Sequence, residues 1–350
     1  MAPFNPRMME IGREARGMTQ AELSARMQIG QGTVSRYESG QLTPPDDFLP
    51  RLGEALGFPP AFFREPIRVA GFPPFHYRRR RALPARTAAR INAEMNIRRL
   101  HVEKLSRACD PPRRSRILEV DPDEFRGPIS DVARLQRETW MLPRGPVDNL
   151  TEAIEAAGGI VIACDFGTDQ IDALSQRLDG LPVMFFVNQR APADRMRHTL
   201  AHELGHMVLH SVLPADDERM EDEADEFAGC FLLPEDEVRH QFRRFTLPQL
   251  ANMKQLWRVS IAALAMRADR LGQLTPHQKK TFWIEYNKLG YRRREPVELP
   301  PERPGLLRRM IDFHLRDLGY GVPELAAMLC LLPEEFAALY LDRPRLRLVG

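Results

Sequence analysis

The sequence predicts a mostly helical α+β protein of several domains. Three observations carry this. At 350 residues the chain exceeds one ordinary domain. Apolar residues recur at helical spacing over most of its length, while short β-rich runs are bunched between residues 159 and 188. Thirty prolines punctuate the chain and mark many element ends. The expected order is an all-α helix-turn-helix over 1–66, a linker and long spacer helix over 67–146, an α+β domain with a small sheet over 147–240, and a helical C-terminal region over 241–350.

Composition narrows the class. Apolar residues make up 43% and charged residues 28%, which excludes wholesale disorder, collagen and coiled-coil rods. No run approaches the ~18 apolar residues that a membrane helix needs. The start, MAPFNPRMMEIGREARG, has no apolar core and no cleavage site. A cytoplasmic location without membrane partners is expected. Cys109, Cys164, Cys230 and Cys330 lie far apart and form no CxxC pair, so reduced thiols are expected. The net charge of +2 hides an asymmetry: residues 1–116 carry 21 Lys/Arg against 11 Asp/Glu, so the remainder is net negative. The first third suits a polyanion.

The N-terminal elements follow from local chemistry. Thr19 precedes an apolar run with Glu22 three residues on, a capping box that opens a helix. Ile29–Gly32 is a turn, Thr33–Glu38 a second short helix, and Ser39-Gly40 its stop. Leu23, Met27, Ile29, Val34 and Tyr37 can share one core. The 22-residue span TQAELSARMQIGQGTVSRYESG resembles the phage-repressor (Xre) helix-turn-helix. In that family the second helix enters the major groove of double-stranded DNA. The resemblance assigns base-facing positions to Gln31, Gly32, Thr33 and Arg36, and a backbone contact to Gln20. Gln and Arg can pair with base edges; Gly32 departs from the pattern, since it has no side chain to read with. Modules of this kind work on paired half-sites, so a homodimer is expected. A purely protein-binding use is the alternative.

Between 67 and 146, Gly71–Phe75 breaks regular structure, and His76–Arg81 is a basic knot suited either to phosphates or to a solvated bend. Ala85–Cys109 is a long helix, with another near 129–140.

The central region holds the chemistry. Val147–Ala157 is a helix; Gly159–Cys164 and Pro182–Asn188 are strands; Asp172–Asp179 is a strand or a turn. The next helix, to His210, contains His202-Glu203-Leu204-Gly205-His206. Residues i and i+4 share a helix face, so both imidazoles can hold one metal ion, and Glu203 is placed to take a proton from a metal-bound water. Neutral imidazoles suit Zn²⁺, and a catalytic site needs a third protein ligand. The acid-rich helix over 219–234 offers Glu221 for that place, with Glu223 as the rival, and Asp225 to hold a ligating imidazole N–H. His198 and His210 flank the pair by one turn each, where packing or capping is the expected role.

RMRHTLAHELGHMVLH, preceded by PVMFFVN and followed by EDEADEFAGCFLLP, resembles the ImmA/IrrE metallo-endopeptidases over about 160–240. The resemblance implies a zincin-like peptidase domain whose zinc ligands map onto His202, His206 and Glu221 and whose general base maps onto Glu203. It also implies cleavage of a helix-turn-helix repressor, which would make the whole chain a DNA-binding transcriptional regulator with a protein substrate. Pairing of that substrate along Val183–Val187 requires this run to be an exposed sheet edge. The alternative is a non-catalytic regulator, or an antitoxin-like DNA binder, whose peptidase-like domain senses or binds a partner.

The C-terminal region reads as short helices. A shift of 302 positions aligns Glu22 with Glu324, Leu23 with Leu325, Met27 with Leu329, Ile29 with Leu331 and Val34 with Phe336. This faint repeat points to a second helix-turn-helix-like bundle without the polar reading residues, hence one used for protein packing.

Overall fold

The computed structural model describes residues 3–45, 47–67, 70–71, 83–108, 116–121, 124–210 and 218–341. The basic run His76–Arg81 and Cys109 lie outside the described residues. The chain forms two compact units. One gathers residues 1–72, 78–111 and 306–350; the other gathers 73–77 and 112–305.

The first unit begins with α1 (Pro6–Ala15), α2 (Gln20–Met27), α3 (Gln31–Glu38) and α4 (Phe48–Leu56), followed by a 3-10 turn over Pro60–Arg64. Pro6 at the first helical position and the Asn5 side chain start α1. The capping box opens α2: Glu22 N–H donates to Thr19 Oγ1 at 3.1 Å, and Thr19 N–H donates to Glu22 Oε2 at 2.7 Å. Met8, Met9, Leu23, Val34, Leu52 and Phe63 fill the core. The long helix α5 (Ala85–Ser106) adds Ala93, Ile97 and Leu100 to that core.

The second unit contains α6 (Ile129–Thr139), α7 (Leu150–Ala156), β1 (Ile160–Cys164), β2 (Ala173–Gln176), β3 (Met184–Asn188), α8 (Ala193–Leu209) and α9 (Glu218–Leu232). The short α10 (Glu235–Val238), a 3-10 turn over Arg239–Arg243, α11 (Leu247–Trp257), α12 (Ile261–Arg270) and α13 (Pro276–Lys288) complete it. The sheet order is β1-β3-β2, with β1 parallel and β2 antiparallel to β3. All five residues of β3 are buried, as befits a strand with neighbours on both sides and helices around it. This corrects one expectation: the run 183–187 is the central strand and not an edge, so its main-chain groups are already spent on β1 and β2 and cannot pair with a substrate. Leu200, Leu204, Met207, Phe227 and Phe231 bring α8 and α9 into one core with Phe185 of the sheet.

The chain then returns to the first unit with α14 (Leu306–Arg316), α15 (Val322–Met328), α16 (Pro333–Phe336) and a π turn over Ala337–Leu341. These follow the faint repeat closely. The left-handed Gly17 (φ 63°) and Gln28 (φ 56°) correspond at a shift of 302 to Gly319 (φ 72°) and Cys330 (φ 57°). Glu324 closes back on Gly321 N–H as Glu22 does on Thr19. Leu325, Leu329 and Phe336 are fully buried. At the position of Gln31-Gly32-Thr33 stand Pro333-Glu334-Glu335, and Glu335 pairs with Arg16 at 2.8 Å.

Among the described residues, no helix is long and apolar enough to cross a membrane.

Candidate metal centre

His202 and His206 project from one face of α8 because they are a turn apart. Both are buried, and their Nε2 atoms lie 3.0 Å apart. Glu221, from the first turns of α9, brings Oε2 to 3.7 Å from His202 Nε2 and Oε1 to 3.5 Å from His206 Nε2. Among the described residues, these three form the group able to hold a metal ion, with one donor atom from each within 4.8 Å of the others.

The surroundings set the tautomers. His202 Nδ1 lies 2.7 Å from Asp225 Oδ1. A carboxylate only accepts, so Nδ1 carries the proton and Nε2 a lone pair. His210 Nε2 lies 2.9 Å from Glu223 Oε2, and His210 Nδ1 lies 3.0 Å from His206 Nδ1. By the same logic His210 donates from Nε2 and accepts at Nδ1, so His206 donates from Nδ1 and keeps a lone pair on Nε2. Burial pushes His210 below the ordinary histidine range, more than Glu223 restores, which favours this neutral form. Burial opposes the charge on Asp225, but the His202 contact outweighs it and holds the carboxyl below its usual range.

Two imidazole lone pairs and a carboxylate thus converge. Without a cation they repel; with a tetrahedral ion the donors would sit about 3.3 Å apart, close to the separations observed. The residues fit Zn²⁺. Glu203, fully buried beside them, receives the Ser175 hydroxyl on Oε2 at 2.6 Å. Ser175 belongs to β2, so the sheet reaches the helix at this carboxylate.

The close approach of α8 and α9 depends on Gly205. A Cβ there would lie 3.1 Å from Ala224 Cα and 3.2 Å from its carbonyl oxygen. The small residue lets the Glu221 helix come within reach of the two imidazoles.

Residues 154–269 match the family model described as the IrrE N-terminal-like domain, a peptidase family, and residues 10–63 match a helix-turn-helix model. The chain joins a helix-turn-helix DNA-binding domain to an IrrE N-terminal-like domain. No curated protein matches the chain. The IrrE-like match takes in the sheet, α8 and α9, and so the whole His202–His206–Glu221 cluster. It extends through α11 and α12 to residue 269, beyond the span of the sequence resemblance.

Each residue singled out in the sequence has a definite place. Glu221 faces the two Nε2 atoms, whereas its rival Glu223 is engaged by His210 and by Arg219, at 3.4 Å. Asp225 meets His202. His198 is half-buried, and burial lowers it to about 4 against the pull of Asp225. Sequence reasoning missed Ser175, for which no local pattern exists, and the Glu223–His210–His206 relay, whose i, i+4 spacing was visible.

In the helix-turn-helix, Gln31, Gly32 and Arg36 are exposed and Thr33 is half-buried. Gln31 Nε2 donates to Gln20 Oε1 at 2.8 Å, and Gln20 Nε2 donates to Glu38 Oε2 at 2.8 Å. Arg13 closes the chain with two bonds to Glu38, at 2.6 and 3.0 Å. This ladder ties α1, α2 and α3 together behind the exposed start of α3. A Cβ on Gly32 would meet nothing within 4 Å, so the residue leaves open space at the N-terminus of α3.

Proposed function

We propose that this chain is a transcriptional regulator whose IrrE-like domain is a zinc-dependent endopeptidase acting on a repressor-type protein. The observation that carries this reading is the convergence of two imidazoles, oriented by Asp225 and His210, and Glu221 beside the buried Glu203. His202, His206 and Glu221 would hold the metal. A bound zinc ion supplies Lewis-acid activation of a water and of the scissile carbonyl. Glu203 acts as general base: it takes the water proton on Oε1, opposite the oxygen that Ser175 holds, and delivers it to the leaving amine nitrogen. Ser175 fixes the carboxylate plane, and Asp225 and His210 fix the imidazole rings. The buried surroundings strengthen each of these contacts.

The DNA half of the proposal places the start of α3 in the major groove, with Gln31, Thr33 and Arg36 toward base edges and Gln20 toward the backbone. Gly32 would admit a close approach of backbone to DNA. Two copies of the chain would occupy two half-sites.

The test is direct. Purified protein is assayed for zinc, and an Xre-type repressor encoded beside it is offered as substrate, with Glu203→Gln as control. One zinc per chain and cleavage lost in the variant support the proposal. Absence of stoichiometric metal, or equal cleavage by the variant, would sink it and leave the domain as a partner-binding module.

A further inference from the structure

We propose that a cavity on the far side of α9 from the histidine cluster binds a nucleotide-sized organic phosphate. The cavity measures about 870 Å³, within the range of small-molecule sites. It lies in the second unit, between α6, the end of α9, the turn over Arg239–Arg243 and α12. None of its lining residues belongs to the His202–His206–Glu221 group. Cys230 lines the cavity nine positions after Glu221, which is about half a revolution of the helix.

The floor is cationic. Arg137 and Arg267 stand at 7% and 5% exposure beside Cys230. Arg137 donates to the carbonyls of Phe231, Pro143 and Gly145, at 2.8–2.9 Å. Arg267 donates to Leu233 O at 3.0 Å and to Cys230 Sγ at 3.3 Å. Among the described residues, neither guanidinium has a carboxylate within 4.0 Å. The end of α9 offers about half a negative charge, against two whole positive ones.

The acidic groups of the lining are already paired with other arginines of the lining. Asp131 and Glu138 bind Arg134, Glu235 binds Arg239, and Asp236 binds Arg144. Glu237 accepts from Gly145 N–H. Burial pushes Arg137 below its ordinary value despite the nearby Glu237 and Asp236. Arg243, exposed on the lining, pairs with no carboxylate among the described residues. Three guanidinium forks without acidic partners match the several oxygens of a phosphate. Leu142, Pro143 and Pro234 give an apolar wall for an organic body.

The experiment uses the full chain with EDTA present, so that the histidine cluster plays no part. Adenosine 5′-monophosphate, inorganic phosphate and adenosine are titrated by calorimetry. The expected result is saturable binding of the monophosphate, competition by phosphate, and at least tenfold weaker binding of adenosine. Arg243→Gln and Arg267→Lys should each weaken the monophosphate at least tenfold. Because Arg243 is exposed and pairs with no carboxylate among the described residues, Arg243→Gln decides the matter even where Arg267→Lys does not fold. The proposal is overturned by no saturable binding at millimolar monophosphate, by equal binding of adenosine, or by a folded Arg243→Gln protein that binds as the parent does.

Discussion

Glu203 and Asp225 have separable tasks, although each lies within one residue or one contact of His202. Glu203 is not one of the three residues placed to hold the metal and is held from the sheet by Ser175. Replacing it with Gln should therefore leave metal content at one per chain while cleavage falls by roughly 10²–10⁴-fold, the usual contribution of a general base. Asp225 acts through the ring it orients. Asp225→Ala removes the acceptor that fixes the His202 tautomer, and metal affinity is expected to fall about 10–100-fold, read by competition with a chelating dye. An unchanged affinity would mean that the 2.7 Å contact is structural only. The HExxH spacing made both imidazoles and Glu203 legible from one helix turn. Ser175 was not legible, because its partner lies 28 positions away and only strand pairing brings them together.

The contact between α8 and α9 decides whether the acidic helix can reach the imidazoles. At Gly205 the two helices come close, with the backbone of Ala224 and the Cβ of Phe227 facing it. A valine there regains some helix propensity, under about 1 kcal/mol, but must push Ala224 away, and overpacking of this kind costs about 1–3 kcal/mol. We expect Gly205→Val to lower stability in urea titration and to weaken metal binding more than a surface control on α8 such as Arg195→Lys. The sheet teaches a related lesson. Two apolar runs in the sequence marked β1 and β3, but the order in which strands lie is a matter of long-range pairing. The buried run 183–187 is fully apolar up to Asn188 because both its faces are covered, and the strands on both its edges remove it as a substrate platform. The C-terminal repeat was legible as a pattern of five aligned residues; its left-handed turns at Gly319 and Cys330 became visible only in the backbone.

The whole molecule divides its chemistry between two units, and its charge follows. The basic surplus of residues 1–116 predicts strongly salt-dependent DNA binding. With about six phosphate contacts, affinity for an operator fragment should drop by about 10³-fold between roughly 50 and 200 mM salt in a mobility-shift titration. A flat salt dependence would argue against a groove-bound helix. Zinc gives the second test. At about one hundred times its dissociation constant, an ion bound only by the folded chain adds about 2.7 kcal/mol of stability. The unfolding midpoint of the second unit should rise with added zinc and fall with EDTA, and the rise should vanish in a His202→Ala, His206→Ala double variant.

Spacing of three or four residues is a local property, and local properties are what a chain announces. The capping box at Thr19 and Glu22, the two imidazoles one turn apart and the acid-rich helix after them follow from helix geometry alone. Which carboxylate turns toward the imidazoles, which strand is central, and which guanidiniums end up buried without acids depend on contacts between residues far apart. Arg137 and Arg267, 130 positions apart, look like ordinary surface charges in the sequence. Only packing around the end of α9 removes both from water and places them on the floor of one cavity.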